Sequence, residues 1–407
     1  MAKTPSDKLT NAIVRKDIDQ MRRVLSKGRE GFVNEKNSKG YPPIAVAAEQ
    51  LFKEGMDLLL EQEGVDVNAK ITLDEKTITP RERRNRDDID GAGALTILTK
   101  KTKEAGVGEV ASKMVGELLK KGAEVSNQDG KGNTPLHDAI NSRDYNLVKA
   151  LLASGADPNT PNKAGYTPLH IAANNSDKES LDMLLESGKA DVNKTVESAE
   201  GQRVSRNSGA NPLMLLVQNA SFEHQESVAD MAKSLIKNGS EINTVKDENG
   251  DTSLHHAARR VAPQIVDILT AAGADPRQQN NNRESAIDIN QQTYDTVRQR
   301  AGSEEIRDDY LKANREITEK FQERLEKGAS AALEKTLGLN SDAGDNIASF
   351  LEGDKGELAN VTMVNKAARE ASQNASTNTD KIKDILEQGP KSPTEQAAGN
   401  PGKSKER

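Results

Sequence analysis

The stretch from Gly132 to Asn193 reads GNTPLHDAINSRDYNLVKALLASGADPNTPNKAGYTPLHIAANNSDKESLDMLLESGKADVN. TPLH stands at Thr134–His137 and returns at Thr167–His170, 33 positions later. Within one period, Thr134 suits a helix N-cap and Pro135 suits the first helical turn, where its missing N–H costs nothing. A short helix to about Ser142 follows. Leu147, Val148, Leu151 and Leu152 then repeat on one helical face, and Gly155 supplies a left-handed stop. ADPNTPNKAG is a turn-rich connector. The unit is helix, turn, helix, loop. Helices of about 8–10 residues are marginal alone in water, so each must bury its face on a neighbour, and the unit must repeat.

These residues resemble ankyrin repeats, whose pattern is a 33-residue period with T-P-L-H-x-A. The resemblance implies an all-α solenoid of stacked helix–turn–helix–loop units that binds proteins on a concave groove built from loop tips and first-helix faces.

Aligned on the Leu of TPLH, the units fall at Ile44, Leu95, Leu136, Leu169, Leu213, Leu254 and Ile287. The intervals are 51, 41, 33, 44, 41 and 33, so the longer ones carry insertions. Upstream, KLTNAIVRKDIDQMRRVLSKG has the same helix–helix form without TPLH and a charged outer face, as a terminal cap requires. The expected organisation is a capping pair over 1–38 and about seven units over 39–301, with insertions at 70–93 and 194–209. A helical extension over 302–389 and a disordered, Pro/Gly/Ser/Lys-rich tail over 390–407 complete it. In the extension, Ile306, Tyr310, Ala313, Ile317, Phe321 and Leu325 lie on helical spacing. That stripe reads as one long helix, capping the array or taking a partner.

Composition bounds the chemistry. Of 407 residues 30% are charged, net charge is −7, aromatics are 2% and there is no Trp. A mildly acidic chain poor in stacking aromatics is not expected to bind nucleic acid. The run Arg81–Arg86 is cancelled at once by Asp87, Asp88 and Asp90, and reads as a solvated loop. No cysteine is present, which removes disulfides, thiol nucleophiles and Cys-based zinc sites. Neither a membrane-length apolar run nor a secretory apolar core is present, so the expectation is a cytoplasmic monomer without membrane insertion. No P-loop, GxSxG, HExxH or kinase motif occurs, and no catalytic, cofactor or metal residue is assigned. His137 and His170 are read as structural, each imidazole bridging neighbouring loops.

The groove implied by the resemblance is expected to present Lys131, Asn133, Asn141, Lys163, Tyr166, Asn174 and Asn175 in the third and fourth units. In the sixth it is expected to present Glu248, Asp251, Arg259 and Arg260. Tyr166 stands out, because exposed Tyr and Arg are enriched at hot spots. The leading reading is a non-catalytic scaffold or adaptor for one or more partner proteins. A second reading is a bacterial effector delivered into a host cell without a signal peptide, with Lys391–Arg407 as a translocation tail. A third is an enzyme with an unrecognised site around Glu304–Gln388.

Overall fold

The computed structural model describes residues 4–28, 31–73, 89–102, 108–197, 207–220, 225–300 and 304–337. Those residues form helices and no strand, with one isolated antiparallel bridge between Lys70 and Gly93. The expected tail, the helical extension beyond 337 and the Arg81–Arg86 run lie outside the described residues. The chain divides into Met1–Ile317 and Thr318–Arg407.

The first unit is a run of helix pairs: α1 Pro5–Val14 with α2 Ile18–Leu25, α3 Pro43–Glu49 with α4 Lys53–Leu60, and α5 Ala94–Lys101 with α6 Gly108–Lys120. It continues through α7 Pro135–Ser142 with α8 Tyr145–Ala153, α9 Pro168–Asn174 with α10 Lys178–Glu186, and α11 Pro212–Gln218 with α12 Gln225–Lys237. Then come α13 Ser253–Arg259 with α14 Pro263–Ala271, and α15 Ala286–Arg300. The stripe expected after Gly302 is one helix, α16 Glu304–Leu337, and it spans both units. In the first unit, Asn290 Nδ2 donates to the Asn314 carbonyl at 3.1 Å, which ties α16 to α15.

The core is aliphatic, as the scarcity of aromatics requires. Leu136, Ala139, Ile140, Val148 and Leu151 are fully buried, as are Leu213, Leu215, Leu216 and Val217 on α11. A Leu-to-Ala change at such a site costs about 2–5 kcal/mol.

Three polar devices link neighbouring units where they recur. The first is the TPLH histidine. Thr134 caps α7, and its backbone N–H and hydroxyl both meet His137 Nδ1, at 3.1 and 2.8 Å. Nδ1 must therefore accept, which leaves the proton on Nε2 for donation to the Tyr166 carbonyl of the next unit at 2.9 Å. His255 repeats this towards Glu284. The capping box is usually written with Glu or Gln at its fourth position, and here His fills that place.

The second device is the turn at each loop tip. Asn37, Asp129, Asn162, Asp247 and Asn280 each accept, on Oδ1, the N–H groups two and four residues on. The turn closes on a left-handed residue three positions after the Asx, which is Gly40, Gly132, Gly165 or Gly250 in four of them. Glycine is needed because the next tip passes close by: a Cβ on Gly165 would lie 2.1 Å from the Glu197 carbonyl oxygen. In the last tip the same left-handed place is held by Arg283, φ +64°.

The third device ends each unit. Asn34, Asn159, Asn193 and Asn243 each donate to a carbonyl, and accept an N–H, in the loop after the next second helix; Asn159, for example, bonds Lys189 and Asp191, both at 2.7 Å. In the last such position the residue is Arg277.

The insertions sit inside the tip turn itself. Where the other tips have Asn or Asp, the decorated ones have Ile71 and Val196, both buried. Ile71 exchanges backbone bonds with Ala92 and Gly91, and Val196 does so with Ala210 and Gly209, as Asn37 does with Tyr41 and Gly40. The ordinary turn has two residues between Asx and Gly, 38–39, whereas these have 72–90 and 197–208. A pinned base explains why the stack continues in register, since extra length in a closed loop adds only about 0.6 kcal/mol per doubling. Replacing 72–90 by the Ser-Lys of residues 38–39, with Ile71→Asn, should therefore leave the helical circular dichroism unchanged and move the urea midpoint little. Loss of cooperative unfolding would show that the insertion is part of the core.

Candidate interaction face

Each first helix ends in two polar residues that sit at the same place in every unit, because the helix starts at the same register position and runs about two turns. They are Glu49 and Gln50 at the end of α3, then Lys100 and Lys101 on α5, then Asn141 and Ser142 on α7. Asn174 and Asn175, Gln218 and Asn219, and Arg259 and Arg260 continue the row on α9, α11 and α13. Neighbouring rungs touch. Asn175 Nδ2 donates to Asn141 Oδ1 at 3.4 Å, and Asn219 Nδ2 donates to Asn174 Oδ1 at 3.0 Å. Lys100 Nζ reaches the buried Asp129 carboxylate at 2.6 Å.

Beside the last three rungs lies a groove of about 470 Å³, floored by Asp247, Asp251 and His256 and edged by Asn174, Asn207, Gln218, Asn219, Asn249, Arg259, Arg260 and Asn282. A smaller hollow of about 230 Å³ shares Arg259 and adds Glu284, Ile289, Gln292, Thr293 and Thr296. The floor is a connected charge network. His256 Nε2 contacts Asp247 Oδ2 at 3.0 Å, and Arg259 donates to Asp251 Oδ2 at 2.9 Å. Asn280 Nδ2 donates to Asp251 Oδ1 at 2.8 Å. Burial works to raise the Asp247 pKa, but the bonds from His256 and from the Asp251 and Asn249 amides outweigh it and hold the carboxyl below its usual value. Asp247, Asp251 and His256 offer three ligand-type atoms within 4.8 Å of one another, the group among the described residues that could hold a metal. Each atom already has a protein partner, and a cation would have to displace the Arg259 guanidinium, so the arrangement works as a hydrogen-bonded floor.

The expected face residues divide. Lys131, Asn141, Lys163, Asn174, Glu248, Arg259 and Arg260 are exposed, and Asn133 and Asn175 are half-buried. Lys163 Nζ donates to the Gly130 carbonyl at 2.5 Å, and Glu248 accepts the Asn281 amide on its backbone at 2.9 Å. Two residues differ from expectation. Asp251 is 2% exposed and spent on Arg259 and Asn280, because the position before the helix cap points into the tip rather than outward. Tyr166 is half-buried against Val196, Ala210, Met214 and Leu215. Its hydroxyl accepts from Asn207 Nδ2 at 2.8 Å and its ring meets His170 edge-on at 6.2 Å. Gln218 and Asn219 escaped sequence reasoning because their unit reads NPLM where the others read TPLH. Lys100 and Lys101 did so because GALTILT departs further.

Comparison with known proteins agrees with this geometry. The family model described as "Ankyrin repeats (3 copies)" matches residues 107–196, and "Ankyrin repeats (many copies)" matches residues 220–270. An Arabidopsis thaliana protein that bears the name E3 ubiquitin-protein ligase XBAT34 is 33% identical over 82 residues, which is 20% of this chain and 20% of that protein. The chain thus covers about a fifth of that relative's length. Among the described residues no helix is long and apolar enough to cross a membrane. Ankyrin repeats are interaction modules that generally mediate protein–protein contact. Repeated helix pairs, TPLH caps, stacked tips and two family matches lead to one conclusion: the chain carries ankyrin repeats.

Proposed function

We propose that the protein is a non-catalytic scaffold that takes a partner protein on the concave face of its repeats. The face runs along the paired rungs that close the first helices, from Lys100 to Arg260, with Lys131 and Lys163 on the adjoining tips. The observation that supports this reading most directly is the groove of about 470 Å³ at three consecutive rungs, open to solvent, with a buried charged floor and polar edges. Every histidine of the TPLH type is used in a cap, and His256 on the groove floor is held against the Asp247 carboxylate.

Quantitative capture by full-length wild type and by the variant Lys131→Glu/Lys163→Glu/Arg259→Glu/Arg260→Glu, compared by mass spectrometry, tests the proposal. The expected result is at least one protein enriched on wild type and reduced about tenfold or more on the variant, since reversing contact charges weakens binding by at least about 1.4 kcal/mol. Identical profiles from two folded proteins would reject the face.

A further inference from the structure

We propose that this face binds an extended polypeptide segment bearing carboxylates, its backbone laid along the carboxamide rungs and an acidic side chain at Arg260. The inference deepens the scaffold reading and rests on it.

Exclusion comes first. Among the described residues the exposed large hydrophobics are Val14 and Val110, on α1 and α6, and neither is on the rungs. An amphipathic helix binds by setting apolar anchors into an apolar groove, and none is offered here. No aromatic lines the groove, and Tyr166, which bonds the groove-edge Asn207, has its ring packed on Val196 and Met214, so no stacking platform for a nucleobase is offered among the described residues. Affinity on this face must come from hydrogen bonds and charge.

The central rungs are carboxamides: Asn141, Asn174, Asn175, Gln218 and Asn219. A carboxamide carries the same donor and acceptor as a peptide group, so a row of them can read a backbone whatever its side chains. The pitch suits it. Packed helices lie about 8–10 Å apart, and an extended chain advances about 3.3 Å per residue, so each rung meets one peptide group in about three residues. The rungs also have capacity to spare. Asn141 Nδ2, Gln218 Oε1 and Asn219 Oδ1 have no partner among the described residues. The contact from Asn175 to Asn141 is 3.4 Å, longer than a usual bond and open to exchange.

Charge sets the partner's sign. The row passes from Lys100 and Lys101 through the carboxamides to Arg259 and Arg260. Arg259 is held by Asp251, whereas the exposed Arg260 guanidinium has no partner among the described residues. A planar guanidinium accepts a carboxylate with two parallel hydrogen bonds. The chain as a whole carries −7, so an acidic partner is repelled elsewhere and attracted here, which favours this site over the rest of the surface.

The test is selection of a random, unconstrained twelve-residue peptide library on the full-length protein, followed by titration of one synthetic peptide from it. The expected outcome is enrichment of Asp and Glu, with Arg260→Glu weakening the peptide about tenfold or more and Asn174→Ala/Asn219→Ala about three- to tenfold. N-methylation of a single backbone amide should weaken it comparably, a change that side-chain recognition alone would not feel. Raising salt from 0.1 to 0.5 M should weaken it further. Peptides without acidic bias, peptides indifferent to Arg260→Glu, or no enrichment at all would overturn the inference. If selected peptides, or a captured protein, depend on Lys131 and Lys163 but not on Arg260 and Asn219, the scaffold reading stands and the acidic-strand inference falls. If neither residue set matters to any bound protein, the scaffold reading falls as well.

Discussion

Lowering the pH from 7 to 5 should destabilise the repeats by about 4 kcal/mol through two histidines. Burial pushes the His137 and His170 pKa values down to about 4, below the ordinary 6.5. For His137, bonding to the Tyr166 carbonyl opposes burial and loses. His170 Nε2 is buried with no partner of good geometry, though the Lys194 and Ala210 carbonyls stand near enough to oppose burial. A local contact adds to burial: Nδ1 accepts the cap threonine's N–H, and protonating Nδ1 would set that donor against the new one. The folded state therefore binds fewer protons than the unfolded state between pH 6.5 and about 4. The stability is fully present above pH 6.5 and is lost as pH falls towards 4, by about 2 kcal/mol per histidine at pH 5. His255, lowered mainly by burial, acts in the same sense. Urea titrations at pH 7, 6 and 5 check this, with His137→Asn as the control that should flatten the dependence. Equal stability at pH 5 and pH 7 would show that these rings are not held neutral.

Gly165→Ala should cut the stack in two. At φ +83° a non-glycine residue costs about 1 kcal/mol, and the added Cβ would lie 2.1 Å from the Glu197 carbonyl oxygen. That atom is backbone, pinned where Val196 pairs with Ala210, so it cannot swing aside. We expect a loss of about 3 kcal/mol or more, concentrated between α9/α10 and α11/α12. Because repeat stability is a sum of unit and nearest-neighbour contributions, one weak joint divides the cooperative block. Denaturation should change from a single transition to two, read by circular dichroism with hydrogen exchange to place the boundary. Arg283→Gly serves as the contrast, since the left-handed place already carries a Cβ there and the change should stay within about 1 kcal/mol. A single transition of unchanged midpoint in Gly165→Ala would contradict the close approach.

The helix pairs were legible from TPLH and from the leucine-rich endings before LLASG and LLESG, because helical period and capping are local properties. The tip turns were not. Asn162 and Asp247 look like ordinary polar loop residues until the amides two and four positions on converge on each. The same lack of three-dimensional context placed Asp251 on the surface and left the ring of Tyr166 exposed. The rungs were half legible: Asn141, Asn174, Asn175, Arg259 and Arg260 follow directly from the TPLH register. Gln218 and Asn219 needed the register of a unit whose histidine has become Met214.

Arg277 and Arg283 stand where other units carry the interlocking Asn and the permissive Gly. Together they make the last tip a surface to which another copy of the unit does not fit. An ancestral gene could lengthen this protein by duplicating 133–165 in place, since both new junctions would match. A unit added after the last tip would instead meet arginine at both of these places, so the interior offers the better-matched junction for a change of length.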